Sequence, residues 1–126
     1  MSLQKRMLIV GGVFAGLAVA IGAFGAHALK STLIENGRVE TFELAVKYQF
    51  YHALALLIIG AIADKSEQSK LKWSGYFLIS GTTIFSGSLY LLSISGITFW
   101  GAVTPIGGIL LLLGWTFYIL SVLRKS

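Results

Sequence analysis

The side chains best able to do chemistry in this chain are its two histidines, His27 and His52, each embedded in a long apolar stretch. An ionisable residue inside a membrane span is costly there and by default marks a functional site. Gln49 stands one turn before His52, Tyr48 lies at i−4 from it, and Glu43 is the nearest carboxylate. If the first two spans run antiparallel, His27 sits near the outer end of the first. His52 then lies about one turn inside the outer end of the second, at a similar depth. The expectation is an outer-side polar site of His27, His52, Gln49, Tyr48 and Glu43, holding a lipid headgroup, a quinone, another small molecule or a protein partner.

Other uses of the pair stay open. Neutral, hydrogen-bonded imidazoles would simply tie the helices together. Two imidazoles could be the axial ligands of a haem, whereas a closed zinc site wants four ligands. Proton transfer through the pair is a further reading. The residues fix no cofactor and no metal set.

Catalysis has no such foothold. There is no nucleophile elbow, phosphate-binding loop, HExxH or carboxylate pair within a span. The absence of cysteine removes thiolate chemistry and disulfides. Gly11-Gly12 and Gly107-Gly108 lie in apolar runs where a phosphate would be badly placed. The expectation is a protein that is not an enzyme, with no catalytic residue to name.

The elements that must position the histidines follow from composition. Of 126 residues, 56% are hydrophobic and 12% charged, against roughly 25% charged in soluble domains. Apolar runs of about 20 residues read as spanning helices. The chain is therefore expected to be all-α, a single integral membrane four-helix bundle with spans near 7–29, 48–63, 73–93 and 104–123. Between the first two, Glu40, Glu43 and Lys47 share one helical stripe and Val39, Phe42, Val46 and Phe50 another. That pattern suggests a short amphipathic segment lying at the interface. Thr104 is placed to cap the fourth helix, with Pro105 at its first position.

The net charge of +5 forms no continuous basic face, so nucleic acid is not an expected partner. Lys5, Arg6, Lys65, Lys70, Lys72, Arg124 and Lys125 fall on one side of the spans, and Lys30, Arg38 and Lys47 on the other. Seven against three places both termini in the cytoplasm of a bacterial host. Lys5-Arg6 followed by an apolar run and Ala26-His27-Ala28 imitates a cleaved signal peptide, but the run exceeds the roughly 7–15 residues of such segments.

Small residues mark the packing faces. Gly12 and Gly16 form a GxxxG pair, and Gly22 continues the spacing with Ala18 and Ala26. The third helix carries Tyr76, Ser80, Thr83, Gly87 and Tyr90 in steps of four and three, and the fourth carries Gly107, Leu111, Gly114, Tyr118 and Ser121. Either these hydroxyls bond back to their own helices, or they line a pathway through a small oligomeric transporter or channel. The glycine faces also suggest a homo-oligomer among membrane lipids.

Several of these segments resemble a known family. They are Gly22-Ala23-Phe24-Gly25-Ala26-His27, Tyr48-Gln49-Phe50-Tyr51-His52-Ala53-Leu54-Ala55-Leu56, Phe85-Ser86-Gly87-Ser88-Leu89-Tyr90, Thr104-Pro105-Ile106-Gly107-Gly108 and Gly114-Trp115. In this order they look like the signature of domain-of-unknown-function family 423, which includes the eukaryotic transmembrane protein 256. The resemblance covers nearly the whole chain. It implies a bacterial inner-membrane protein with four spans and an uncleaved first helix, and carries no reaction, substrate or cofactor.

Overall fold

The computed structural model describes residues 1–124; Lys125, one of the basic residues counted above, lies outside them. Ser2 opens the first helix, its hydroxyl accepting from the amide of Lys5 at 3.1 Å. α1 (Leu3–Ala20) runs into a π-helical turn (Ile21–Gly25) and a last α turn, α2 (Ala26–Ala28). A short α3 (Lys30–Glu35) and a turn at Gly37, whose φ of +64° suits glycine, lead into α4 (Val39–Ala61). Glu67 caps α5 (Gln68–Ser95) by accepting from the amides of Ser69 and Lys70. α5 stops at Gly96, at φ +72°, and α6 (Phe99–Arg124) closes the described chain.

Four stretches among the described residues are long and apolar enough to cross a bilayer: Leu3–Ala28, Val39–Ala61, Gln68–Ser95 and Phe99–Leu123. The chain is an all-α integral membrane protein built as a four-helix bundle. Its helices are laid out in chain order, α1 on α4, α4 on α5 and α5 on α6. The two central spans are each 44% buried over their most apolar window, the first and last only 17% and 22%. α1 and α6 therefore present most of the surface that meets lipid.

Lipid tails are as apolar as leucine, so close approach and dispersion hold the helices together. Glycines mark the tightest crossings. A methyl group at Gly107 would strike the backbone of Phe85, and one at Gly114 would come within 2.5 Å of Leu78. A methyl on Gly22 would lie 3.0 Å from Val46, and one on Gly11 would lie 2.9 Å from the carbonyl of Ala53.

Several expectations are corrected here. Nothing lies within 4 Å of a methyl placed on Gly12, Gly16 or Gly87, so among the described residues these three mark no close helix crossing. The spacing of small residues marks a smooth face but not which face meets a neighbour, and Gly11 makes the contact instead. The helix that carries the second span begins at Val39, so the segment expected to lie at the interface and the span expected from 48 form one continuous helix. No proline or glycine interrupts the helix between Val39 and Gly60, and within the segment read as interfacial Phe42 of the apolar stripe is buried, with Ala45 beside it. Thr104 does not cap α6, which starts at Phe99 and carries Pro105 inside it. The proline leaves the Gly101 carbonyl without its i+4 amide donor, a defect membrane helices tolerate when neighbours compensate. Thr104 Oγ1 donates back to the Trp100 carbonyl at 3.2 Å and lies 2.6 Å from Ser88 Oγ of α5.

These contacts predict opposite outcomes for two similar substitutions. Gly107→Ala forces the α5–α6 backbones apart and lowers stability by about 1–3 kcal/mol. Gly12→Ala has room and raises stability by up to about 1 kcal/mol through helix propensity. Steric-trap or denaturant unfolding in bicelles reads both.

Candidate functional site

The middle of the bundle is held by side chains that donate across helices. Gln49, buried on α4, donates from Nε2 to the Phe14 carbonyl of α1 at 2.9 Å. Its Oε1 accepts from the Tyr90 hydroxyl of α5 at 2.6 Å. One amide thus ties three spans. Ser86 of α5 donates to the Ala45 carbonyl of α4 at 2.8 Å, and Ser74 of α5 to the Gly114 carbonyl of α6 at 2.7 Å.

His52 lies one turn further along α4 and is buried. Its Nε2 accepts from the indole N–H of Trp115 on α6 at 3.1 Å, and its Nδ1 lies 2.8 Å from the Tyr48 carbonyl. An indole N–H can only donate and a carbonyl can only accept. The proton therefore sits on Nδ1, Nε2 is bare, and the ring is neutral. Both nitrogens are occupied, which leaves no lone pair for a metal and no free site for proton transfer in this arrangement. Tyr48 stacks on His52 and on Phe85, with centroid distances of 6.0 and 4.6 Å.

These rings border a groove of about 510 Å³ between α4 and α6. Tyr48, His52, Phe85, Pro105, Gly108 and Trp115 are among its walls, and a methyl on Gly108 would touch nothing within 4 Å. The His52 and Trp115 ring nitrogens are paired with each other, so beyond the Tyr48 hydroxyl what the groove offers a guest is aromatic and aliphatic surface.

The expected clustering of His27 with His52 is corrected. Contacts of Gly11 with Ala53, Phe14 with Gln49, Gly22 with Val46 and Gly25 with Phe42 set the register of α1 against α4. His52 is level with Gly11–Phe14, so His27 lies thirteen residues beyond, roughly 20 Å along the axis at 1.5 Å per residue. The two imidazoles cannot ligate one haem within a chain. His27 is exposed, and its imidazole makes no hydrogen bond or ring contact among the described residues. Glu43 is exposed at the level of Gly22 and Gly25, beside Lys47, and does not join His52. Of the expected residues, Tyr48, Gln49 and His52 come together near mid-span; His27 and Glu43 lie nearer the end that carries the first loop.

The hydroxyls of the third span are placed as well. Ser80 and Thr83 donate to the Tyr76 and Ile79 carbonyls of their own helix. Sequence reasoning missed Trp115 as the partner of His52. Its signal was an indole in the interior of an apolar run rather than at an end, where tryptophan usually gathers.

The profile of a family described as "Protein of unknown function (DUF423)" matches residues 21–108. The chain belongs to this family. Among similar DUF423-type relatives, a UPF0382 membrane protein of Staphylococcus haemolyticus is 41% identical over 96% of this chain and 98% of its own length. The UPF0382 inner membrane protein YgdD of Escherichia coli is 38% identical, covering 96% of this chain and 92% of its own. The Bacillus subtilis protein YwdK is 36% identical over 96% and 98%. No solved structure matches the chain. Four of the five family-like segments noted in the sequence meet in space: Tyr48 and His52, Phe85, Pro105 and Gly108, and Trp115 border one groove, which Gly22–His27 does not reach.

The His52–Trp115 bond predicts a measurable coupling. In a double-mutant cycle of His52→Leu and Trp115→Phe, the interaction energy is about 0.6 kcal/mol and not above about 1.7, the range of interhelical hydrogen bonds in membranes. Trp115→Phe alone leaves Nε2 unpaired and is the costlier single change.

Proposed function

We propose that the protein is a non-catalytic binding or accessory protein of the bacterial inner membrane, holding a lipid-derived hydrocarbon chain in the groove between α4 and α6. The observation that carries this reading is the convergence of four separated segments on one mostly apolar groove, whose His52 and Trp115 nitrogens are already paired. A pocket with pre-formed apolar walls and few polar groups is the usual form of a small-molecule site. The relatives named inner membrane proteins support the location. Both termini face the cytoplasm in this reading, following the excess of Lys and Arg on that side. The open glycine face of α1 serves self-association with a second copy.

Native mass spectrometry of protein extracted with its own lipids tests this, beside Gly108→Leu, which fills the groove without a clash. The wild type is expected to retain a stoichiometric lipid mass that the variant loses, on an oligomeric species. Equal adducts in both proteins sink the groove reading, and a strictly monomeric species sinks self-association.

A further inference from the structure

Hydroxyls in membrane helices are usually hidden by bonding to a carbonyl. In α5, Ser80, Thr83, Ser93 and Ser95 do so with carbonyls four residues back. Ser74 and Ser86 bond to neighbouring helices. Thr82 does neither. It is 2% exposed, and its Oγ1 is the buried side-chain oxygen, among the described residues, with no hydrogen-bond partner. Such an orphan costs about 1–3 kcal/mol, and lipid tails supply no water to relieve it.

Thr82 lines a cavity of about 180 Å³ between α1, α4 and α5, with Phe14, Leu17, Gln49 and Tyr90 among the other walls. It lies away from the His52 groove, which Phe85 borders from another side of α5. The hydroxyl hydrogens of Tyr90 and Ser86 are already donated, to Gln49 Oε1 and the Ala45 carbonyl. Gln49 gives one amide hydrogen to Phe14 and keeps a second. Thr82 and Gln49 each keep a donor, and although the Thr82 oxygen can also accept, a guest's acceptor is the group that both can serve.

Depth and size narrow the guest further. Thr82 stands thirteen residues before the end of α5 at Ser95 and fourteen after its start at Gln68, about 20 Å of helix from each. Phospholipid headgroups lie outside the roughly 30 Å hydrocarbon core and do not reach that level. An apolar cavity of about 150 Å³ holds benzene, so this one holds a single six-membered ring. We propose that the cavity binds a neutral, lipid-soluble cyclic carbonyl compound, a one-ring quinone by class, whose oxygen accepts from Thr82. This site stands independently of the α4–α6 groove.

The test uses full-length protein in nanodiscs with a decyl-substituted benzoquinone as probe and decylbenzene as its carbonyl-free control. The quinone should bind more tightly than decylbenzene, and Thr82→Val should weaken the quinone alone by roughly 2- to 12-fold, the range of a neutral hydrogen bond. Gly87→Leu, entering open space at the cavity wall, should block both probes, while Gly108→Leu should block neither. The ligand-free Thr82→Val protein should melt no lower than wild type, since valine removes an unpaired hydroxyl at equal volume. Equal affinity for the two probes, no binding, indifference to Thr82→Val, or loss with Gly108→Leu overturns the proposal. A lower melting point of the empty Thr82→Val protein also overturns it, by revealing that water or the chain already serves the hydroxyl.

Discussion

A polar atom inside a bilayer must find its partner within the protein, and the packing of this chain is arranged around that requirement. Gln49 is the clearest case. Its amide joins α1 to α5 through α4, so the rotation of each of these helices is fixed by one side chain. The Trp115 indole and His52 imidazole do the same for α6 against α4. At the end of the bundle away from the N-terminus, Asn36 donates to the Ser93 and Ile94 carbonyls, supplying donors that the end of α5 lacks and pinning the first loop to it. At the opposite end, Gln4 donates to the Gly60 carbonyl and Arg6 to the Tyr76 hydroxyl at 2.5 Å. Polar links at three depths hold helices that dispersion alone would leave free to rotate.

That arrangement gives the two central spans different roles on their two sides. On the α6 side, polar groups close on one another and leave an aromatic groove. On the α1 side, Thr82 is left over beside a smaller cavity. The π turn at Ile21–Gly25 begins with a residue that lines this cavity. Single π turns recur at functional sites because they re-aim one side of a helix.

Much of the fold was legible because lipid imposes a strong rule on composition. Four apolar runs, few charges and the family-like segments suffice for an all-α membrane bundle. Register was less legible. Reading the helix of His52 from 48 instead of Val39 omits nine residues, roughly 13 Å, the larger part of the offset that made His27 and His52 look level. The stripe of Phe42, Val46 and Phe50 has the same period whether it faces lipid headgroups or another helix. Nor does a GxxxG pair say which neighbour it meets, and here Gly12 and Gly16 mark no close crossing among the described residues. Gln49 and His52 were legible as polar residues in a span, but their partners Phe14, Tyr90 and Trp115 lie on other helices and emerge only once the register is fixed.

The central claim is that His52 is a fixed strut whose nitrogens both belong to the chain. Nitrogen-15 solid-state NMR of histidine-labelled protein in lipid reads this directly, with His27→Gln used to assign the remaining ring. The account predicts one neutral tautomer, protonated at Nδ1 and bare at Nε2, with a cross-peak from Nε2 to the Trp115 indole proton. A ring protonated at Nε2, or one exchanging between tautomers, would contradict it and return the imidazole to the set of groups free to bind or move a proton.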